Sequence, residues 1–141
     1  TAYLGGSAVG ILIGGELADR FRYPATIASG SLALAAVLMA CIGWFDLSMV
    51  TIIALFCGVG FCSGFSQPSR DILVKGAAPT GASGKTFGFV YSGLDFGGAI
   101  GPIIFGWMMD GGEYRWVFLA TAVMYGLAVL TVLQLRKGSS A

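Results

Sequence analysis

The chain has 141 residues, of which 56% are hydrophobic and 11% are charged, whereas an ordinary soluble domain carries about 25% charged residues. Eight Lys and Arg against seven Asp and Glu give a net charge of +1, so the chain has no strong basic field with which to bind nucleic acid. This composition argues against a soluble domain and a nucleic-acid partner. Together with 23 glycines, it predicts an all-α bundle of closely packed helices in a lipid bilayer.

The charged residues fall into clusters, and the apolar runs between them predict five membrane spans of a polytopic bundle over residues 1–141. A span needs about 20 mostly apolar residues, and in chain order the predicted spans are 1–15, 24–45, 47–67, 86–109 and 115–135. Because the first run is short and starts without Met, we expect the chain to begin inside a span and to lack earlier spans.

The distribution of Lys and Arg predicts the orientation of the spans. Seven of these residues lie in the segments 16–23 and 68–85 and after residue 135, and only Arg115 lies at the opposite end of the spans. The positive-inside rule therefore predicts cytoplasmic loops over 16–23 and 68–85 and a cytoplasmic C-terminus. The predicted location is the cytoplasmic (plasma) membrane.

The first span ends in a turn-like sequence that carries both signs of charge. Asp19 and Arg20 follow Gly15 there, and Asp19 could cap the positive N-terminus of the helix that begins near Thr86. The alternative is an ordinary solvated turn.

The third span and the loop after it contain small and polar residues. Gly60 and Gly64 form one small-xxx-small pair, which we interpret as helix packing without a further function. Arg70 and Asp71 follow Pro68. This charge pair either links the loop to a gate or, in the case of Arg70, only signals topology.

The fourth span has glycines at every fourth position, Gly93, Gly97 and Gly101, which form one stripe that lets another backbone approach closely. Pro102 removes a backbone hydrogen bond and predicts a local kink. Gly106 adds a further small residue on the kinked half of this span.

Asp95 is the one charge inside the fourth span. At 100° per residue it lies about 200° from Gly97, on the opposite face of the helix. A carboxylate at mid-span is costly unless it faces water or a partner, and such residues are functional by default. We therefore predict that Asp95 takes up and releases a proton or contacts a substrate, and the alternative is that an ion pair or hydrogen bond of Asp95 only holds helices together.

The sequence does not contain the residues that a catalytic or metal centre would need. The sequence contains no His, and Cys41, Cys57 and Cys62 lie in apolar spans without a Cys-x-x-Cys spacing. We accordingly expect no metal site, no cofactor and no enzymatic activity, and we interpret the three cysteines as small buried apolar residues.

Two motifs carry a resemblance to a known family. The sequence Gly15-Glu16-Leu17-Ala18-Asp19-Arg20 resembles the loop signature of the major facilitator superfamily of transporters. The run Gly97-Gly98-Ala99-Ile100-Gly101-Pro102 is similar to the Gly-Pro helix of the family's antiporters. The order of the motifs and the long cytoplasmic loop fit spans 8 to 12 of that fold.

This resemblance implies the C-terminal part of a transporter whose N-terminal spans are missing. It implies secondary active transport of a small-molecule substrate by alternating access, as an antiporter or symporter, with protons as the expected coupling ion. It also implies that Gly15, Asp19 and Arg20 form a cytoplasmic gate motif. The alternatives are a complete, self-associating five-span membrane protein without transport activity and, remotely, an intramembrane aspartyl protease, for which Asp95 has no second carboxylate within a span.

Overall fold

The computed structural model describes residues 1–20, 24–79, 81–112 and 114–138, and within these ranges every regular element is an α-helix. The five helices are α1 (Ala2–Arg20), α2 (Pro24–Trp44), α3 (Met49–Ala77), α4 (Ser83–Asp110) and α5 (Tyr114–Gly138). Four of them, all except α1, are long and apolar enough to cross a membrane. The predicted all-α membrane bundle of five helices is thereby confirmed.

Helices α1 and α3 pack closely along a seam of glycines. A Cβ atom added to Gly6 or Gly10 of α1 would collide with a backbone carbonyl of α3, and one added to Gly60 or Gly64 of α3 would collide with a carbonyl of α1. The Tyr3 hydroxyl also donates a hydrogen bond across this seam to Ser63 Oγ, at 3.2 Å. Glycine is therefore what lets the two backbones come together.

Helix α2 packs between α3 and α5 and supplies most of the buried apolar side chains. Ala35, Met39 and Ile42 form one buried cluster with Val59 and Cys62 of α3. A second cluster joins the N-terminal half of α2 to Val132 of α5. These two clusters place the core of the described chain along α2.

Helix α3 continues beyond the predicted end of its span. The sequence placed residues 68–85 in a loop, whereas α3 runs through Pro68 to Ala77 and α4 begins at Ser83. A proline inside a helix loses one backbone hydrogen bond, and in membrane proteins neighbouring helices and Ser side chains compensate for this loss. Ser66 and Ser69 are fully buried beside Pro68, so packing holds this stretch in the helical form.

Helix α4 is the least embedded element of the bundle. None of its residues is buried, and its main contacts within the described residues are with α3 and α5. A glycine in the left-handed conformation lies just outside each end of the helix, Gly81 at φ 81° and Gly112 at φ 77°. Glycine adopts this conformation at no steric cost, so Gly81 and Gly112 allow the chain to change direction next to the two ends of α4.

The three tryptophans of the chain lie at one end of the bundle. Trp44 ends α2, Trp107 lies in the last turn of α4, and Trp116 lies in the first turn of α5. All three side chains are exposed. Tryptophan favours the interface between lipid and water, so this end, which we call the tryptophan end, has the composition of a membrane boundary.

Candidate functional site

Two cavities separate α4 from the rest of the bundle. The first, which we call the mid-helix cavity, has a volume of about 590 Å³ and lies among Ser63, Arg70, Phe96, Gly97 and Tyr125 and their neighbours. The second, which we call the loop-end cavity, has a volume of about 670 Å³ and is lined by Gln67, Arg70, Asp71, Tyr91 and Gly93, among others. Both fall in the range of about 300–1,000 Å³ that is typical of small-molecule sites.

Arg70 lines both cavities. The sequence placed it in a loop, but the structure places it on α3, two residues beyond Pro68. Its Nε atom is buried and has no hydrogen-bond partner within the described residues. A buried donor without a partner is costly, and the described part of the chain does not provide an acceptor for Arg70 Nε.

Asp71 links α3 to α4 instead of pairing with the adjacent Arg70. The Tyr91 hydroxyl of α4 donates a hydrogen bond to Asp71 Oδ1 at 3.2 Å. Adjacent residues on a helix point in different directions, so Asp71 can contact α4 while Arg70 lines both cavities. The predicted link of these two charges to a gate stays a prediction. The Asp71–Tyr91 contact is instead a polar link between the two helices.

The glycines of the α4 stripe line the cavities. Gly93 lies on the loop-end cavity, whereas Gly97 and Gly101 lie on the mid-helix cavity. A Cβ atom added to any of them, or to Gly106, would meet nothing within 4 Å. The role of this stripe in packing against another helix, and the kink at Pro102 inside α4, therefore remain predictions.

Asp95 lies on the opposite face of α4, away from both cavities. Its side chain is exposed, and it has no hydrogen-bond or ion-pair partner within the described residues. It is 12 residues from the start of α4 at Ser83, or about 18 Å along the helix axis. A carboxylate at this depth without a partner in the chain needs water or a residue outside the described part of the protein.

The expected gate motif lies at the C-terminal end of α1. Gly15 is on α1, and a Cβ atom added to it would meet nothing within 4 Å beyond its own stretch of helix. Asp19 and Arg20 belong to the same helix, but their side chains and residues 21–23 lie outside what the structure describes. The latch and the capping role predicted for these residues thus stay predictions.

An ion pair joins the connection between α2 and α3 to the start of α5 at the tryptophan end. Arg115 Nη2 donates hydrogen bonds to Asp46 Oδ1 at 3.1 Å and to the Trp44 carbonyl at 3.3 Å. Both side chains are well exposed, Arg115 at 59% and Asp46 at 96%. Asp46 lies between the predicted second and third spans and Arg115 begins the predicted fifth span, and the structure brings these two residues together at one end of the bundle.

Two features of the structure were not predicted from the sequence, one in the cavities and one in the seam between α1 and α3. The first is the cavity role of Arg70, which depends on how α3, α4 and α5 pack and has no local signal. The second is the glycine series Gly6, Gly10 and Gly14 of α1, whose regular four-residue spacing is a signal that could have been read.

Four long apolar helices joined by short connections are typical of an integral membrane protein. Residues 1–140 match the family model described as Major Facilitator Superfamily. The chain belongs to this superfamily, as its two motifs predicted.

Comparison with curated proteins finds relatives of the same kind. The chain is 26% identical over 119 residues to the 4-hydroxybenzoate transporter PcaK of Acinetobacter baylyi, covering 84% of the chain and 26% of the relative. It is 32% identical over 117 residues to the multidrug resistance protein MdtH of an Enterobacter species, covering 79% of the chain and 29% of the relative. An Edwardsiella ictaluri MdtH is 34% identical over 89 residues, covering 59% of the chain and 22% of the relative.

These alignments cover less than a third of each relative, so the chain spans only a part of the proteins that it matches. No solved structure matches the chain significantly.

Proposed function

We propose that this chain is the C-terminal part, about spans 8 to 12, of a secondary active transporter that moves a small solute by alternating access and is driven by protons. Membership of the superfamily over residues 1–140 supports the transporter function. The observation that carries proton coupling is Asp95, an unpartnered carboxylate near the middle of α4. The proposed location is the plasma membrane, with the C-terminus in the cytoplasm.

The position of Asp95 suits a proton carrier. A carboxylate in a low-dielectric environment favours its protonated form, and a water-filled environment favours the charged form. Rocking of two helical bundles around a central site exposes the same residue to each side of the membrane in turn. Asp95 would then bind a proton on one side and release it on the other.

The experiment compares Asp95→Asn with Asp110→Asn in the native, full-length transporter reconstituted into liposomes. Asp110 ends the same helix at the tryptophan end, so its substitution controls for loss of an α4 carboxylate. We expect Asp95→Asn to lose most of the flux driven by a pH gradient while solute exchange without a gradient continues, because exchange needs no net proton movement. Asp110→Asn should retain both activities.

Normal gradient-driven flux in a well-expressed Asp95→Asn variant would contradict the coupling role. Loss of both flux and exchange would contradict it as well, since Asp95 would then be needed for solute movement itself or for the fold.

The gate motif is proposed as a latch that closes the cytoplasmic side. The proposal rests on Gly15, Asp19 and Arg20 lying at the end of α1 in the order that the family motif requires. We expect Asp19→Ala to increase the labelling of cytoplasmic-side cysteine probes in the full-length transporter and to lower the transport rate. Unchanged labelling and rate would contradict the latch.

The printed names of the relatives suggest two kinds of substrate. PcaK is named for 4-hydroxybenzoate and MdtH for multidrug resistance, so an aromatic acid and an apolar drug are the solutes to test first.

The size of the native polypeptide is a further check. Twelve spans with loops predict about 400 residues, and a membrane band near 14.6 kDa would instead favour the self-associating five-span protein.

A further inference from the structure

Arg70 has a fixed positive charge and lines both cavities. Its Nε atom is a buried donor without a partner, and no other side chain in the described part of the chain combines these three properties. Within the described residues no hydrogen bond joins Arg70 to the adjacent Asp71, whose Oδ1 accepts a hydrogen bond from the Tyr91 hydroxyl. Arg70 therefore retains the capacity to bind an anion with a planar, two-oxygen group.

The mid-helix cavity has the lining that such an anion with an apolar body would require. Its walls are mostly apolar, with Phe96, Ile100, Phe105 and Met124 among them, and its residues include one cation and no carboxylate. Cations would meet an uncompensated positive charge in this cavity, whereas an anion would neutralise it. The charge of the cavity thus selects against cations.

A few neutral polar groups lie near the charged end. Ser63 and Tyr125 line the cavity together with Arg70. Hydroxyls of this kind orient a ligand by hydrogen bonds while the apolar walls bury its body. The arrangement is a small polar end on a mostly apolar cavity of about 590 Å³.

We infer that the mid-helix cavity binds a monovalent organic anion with an aromatic or similarly apolar body, and that Arg70 binds its carboxylate. This inference rests on the proposed transport function and names the substrate class of that function. The simplest probe is benzoate, which is ionised at neutral pH, and the neutral probe of nearly the same shape is benzamide.

The binding experiment uses the native full-length transporter in lipid nanodiscs and isothermal titration with benzoate and benzamide. A hydrogen-bonded ion pair in a protein is worth about 1.5–3 kcal/mol, or roughly ten- to hundredfold in affinity. We expect the wild-type protein to bind benzoate more tightly than benzamide by such a factor. Arg70→Gln should remove this preference, and Arg70→Lys should restore part of it.

Arg115→Gln serves as the matched control, because it removes an Arg from the tryptophan end that lines neither cavity. It should leave both affinities unchanged. Equal binding of the two probes by the wild-type protein, absence of benzoate binding, or a preference that persists in Arg70→Gln would each overturn the inference. If Arg70→Gln fails to fold, the wild-type comparison and Arg70→Lys decide the question.

Flux in liposomes separates this inference from the proposed function. If the wild-type protein moves benzoate or the cationic dye ethidium along a pH gradient but Arg70→Gln binds benzoate normally, the site is wrong and the transporter function stands. If benzoate binding depends on Arg70 but neither solute moves, the site stands and the proposed transport function is wrong.

Discussion

Two helices carry glycines at the same four-residue spacing and differ completely in what those glycines contact. On α1, the series that contains Gly6 and Gly10 lies directly against the α3 backbone. On α4, the series that contains Gly97 and Gly101 has open space around every glycine and lines a cavity instead. Regular spacing fixes which residues share a helix face, but it does not fix whether another helix covers that face.

The partner helix accounts for the difference. Helix α3 presents its own glycines, Gly60 and Gly64, to the α1 series, so small residues face each other on both sides of that seam. Against the α4 stripe, α5 presents larger side chains such as Met124 and Tyr125. Close backbone contact therefore requires small residues on both helices, and a stripe on one helix is only half of the requirement.

The largest expected effect comes from closing the space in the seam. In Gly10→Ala, the new methyl group would collide with the Phe61 carbonyl and come within 2.9 Å of the Phe65 nitrogen. Overpacking of this kind costs about 1–3 kcal/mol, so the full-length protein should show a markedly lower thermal midpoint in detergent by fluorescence-detected size exclusion.

Gly97→Ala is the matched variant on α4. Its methyl group has open space, and alanine favours a helix over glycine by up to about 1 kcal/mol, so stability should be equal or slightly higher. Equal losses in the two variants would break the comparison and show that the α4 stripe packs against spans outside this chain.

A smaller effect is expected from the link that holds α4 to α3. Tyr91→Phe removes the hydrogen bond to Asp71 and keeps the ring. A hydrogen bond of this kind contributes about 0.5–1.5 kcal/mol, and the exposure of this contact places it near the lower value. Tyr114→Phe, at an exposed position on α5, is the control, and hydrogen exchange of α4 amides is the measurement.

Faster exchange confined to α4 in Tyr91→Phe would sharpen the contrast between a firmly packed α1 and a lightly attached α4. Exchange that is unchanged, or that accelerates equally in Tyr114→Phe, would show that this hydrogen bond does not hold α4 in place.

The smallest effect is expected at the tryptophan end. The Arg115–Asp46 pair is well exposed, and exposed ion pairs typically contribute about 0–1 kcal/mol and weaken with salt. Arg115→Gln should lower the thermal midpoint slightly at low salt and not at high salt. A large loss that is independent of salt would mean that this pair is shielded from water in the native protein.

The number and order of the helices could be predicted because each depends on a local property, the length of an apolar run. The end of α3 could not be placed correctly from sequence, since Pro68 is a helix breaker in water and is tolerated inside a packed membrane helix. Whether such a helix stops or continues depends on neighbouring side chains that only the tertiary structure brings close.

The candidate site was predictable to a lesser extent for the same reason. Asp95 could be singled out from sequence because a charge within an apolar run is visible without knowing the fold. Arg70 could not be distinguished from a topology signal, since its significance comes from cavities formed jointly by α3, α4 and α5. Residues whose role depends on their own span can be predicted, whereas residues whose role depends on packing cannot.

The gathering of Trp44, Trp107 and Trp116 at one end has a consequence for spectroscopy. Tyr91, at the level of the loop-end cavity, is 16 residues from Trp107 along α4, or about 24 Å. The intrinsic emission of this chain will therefore report the polarity of one membrane boundary, and lipids that carry a quencher near the headgroup will reduce it more than lipids with a quencher at the bilayer centre. Ligand binding in the loop-end cavity will therefore not change this emission. A tryptophan introduced beside that cavity would be needed to detect such binding by fluorescence.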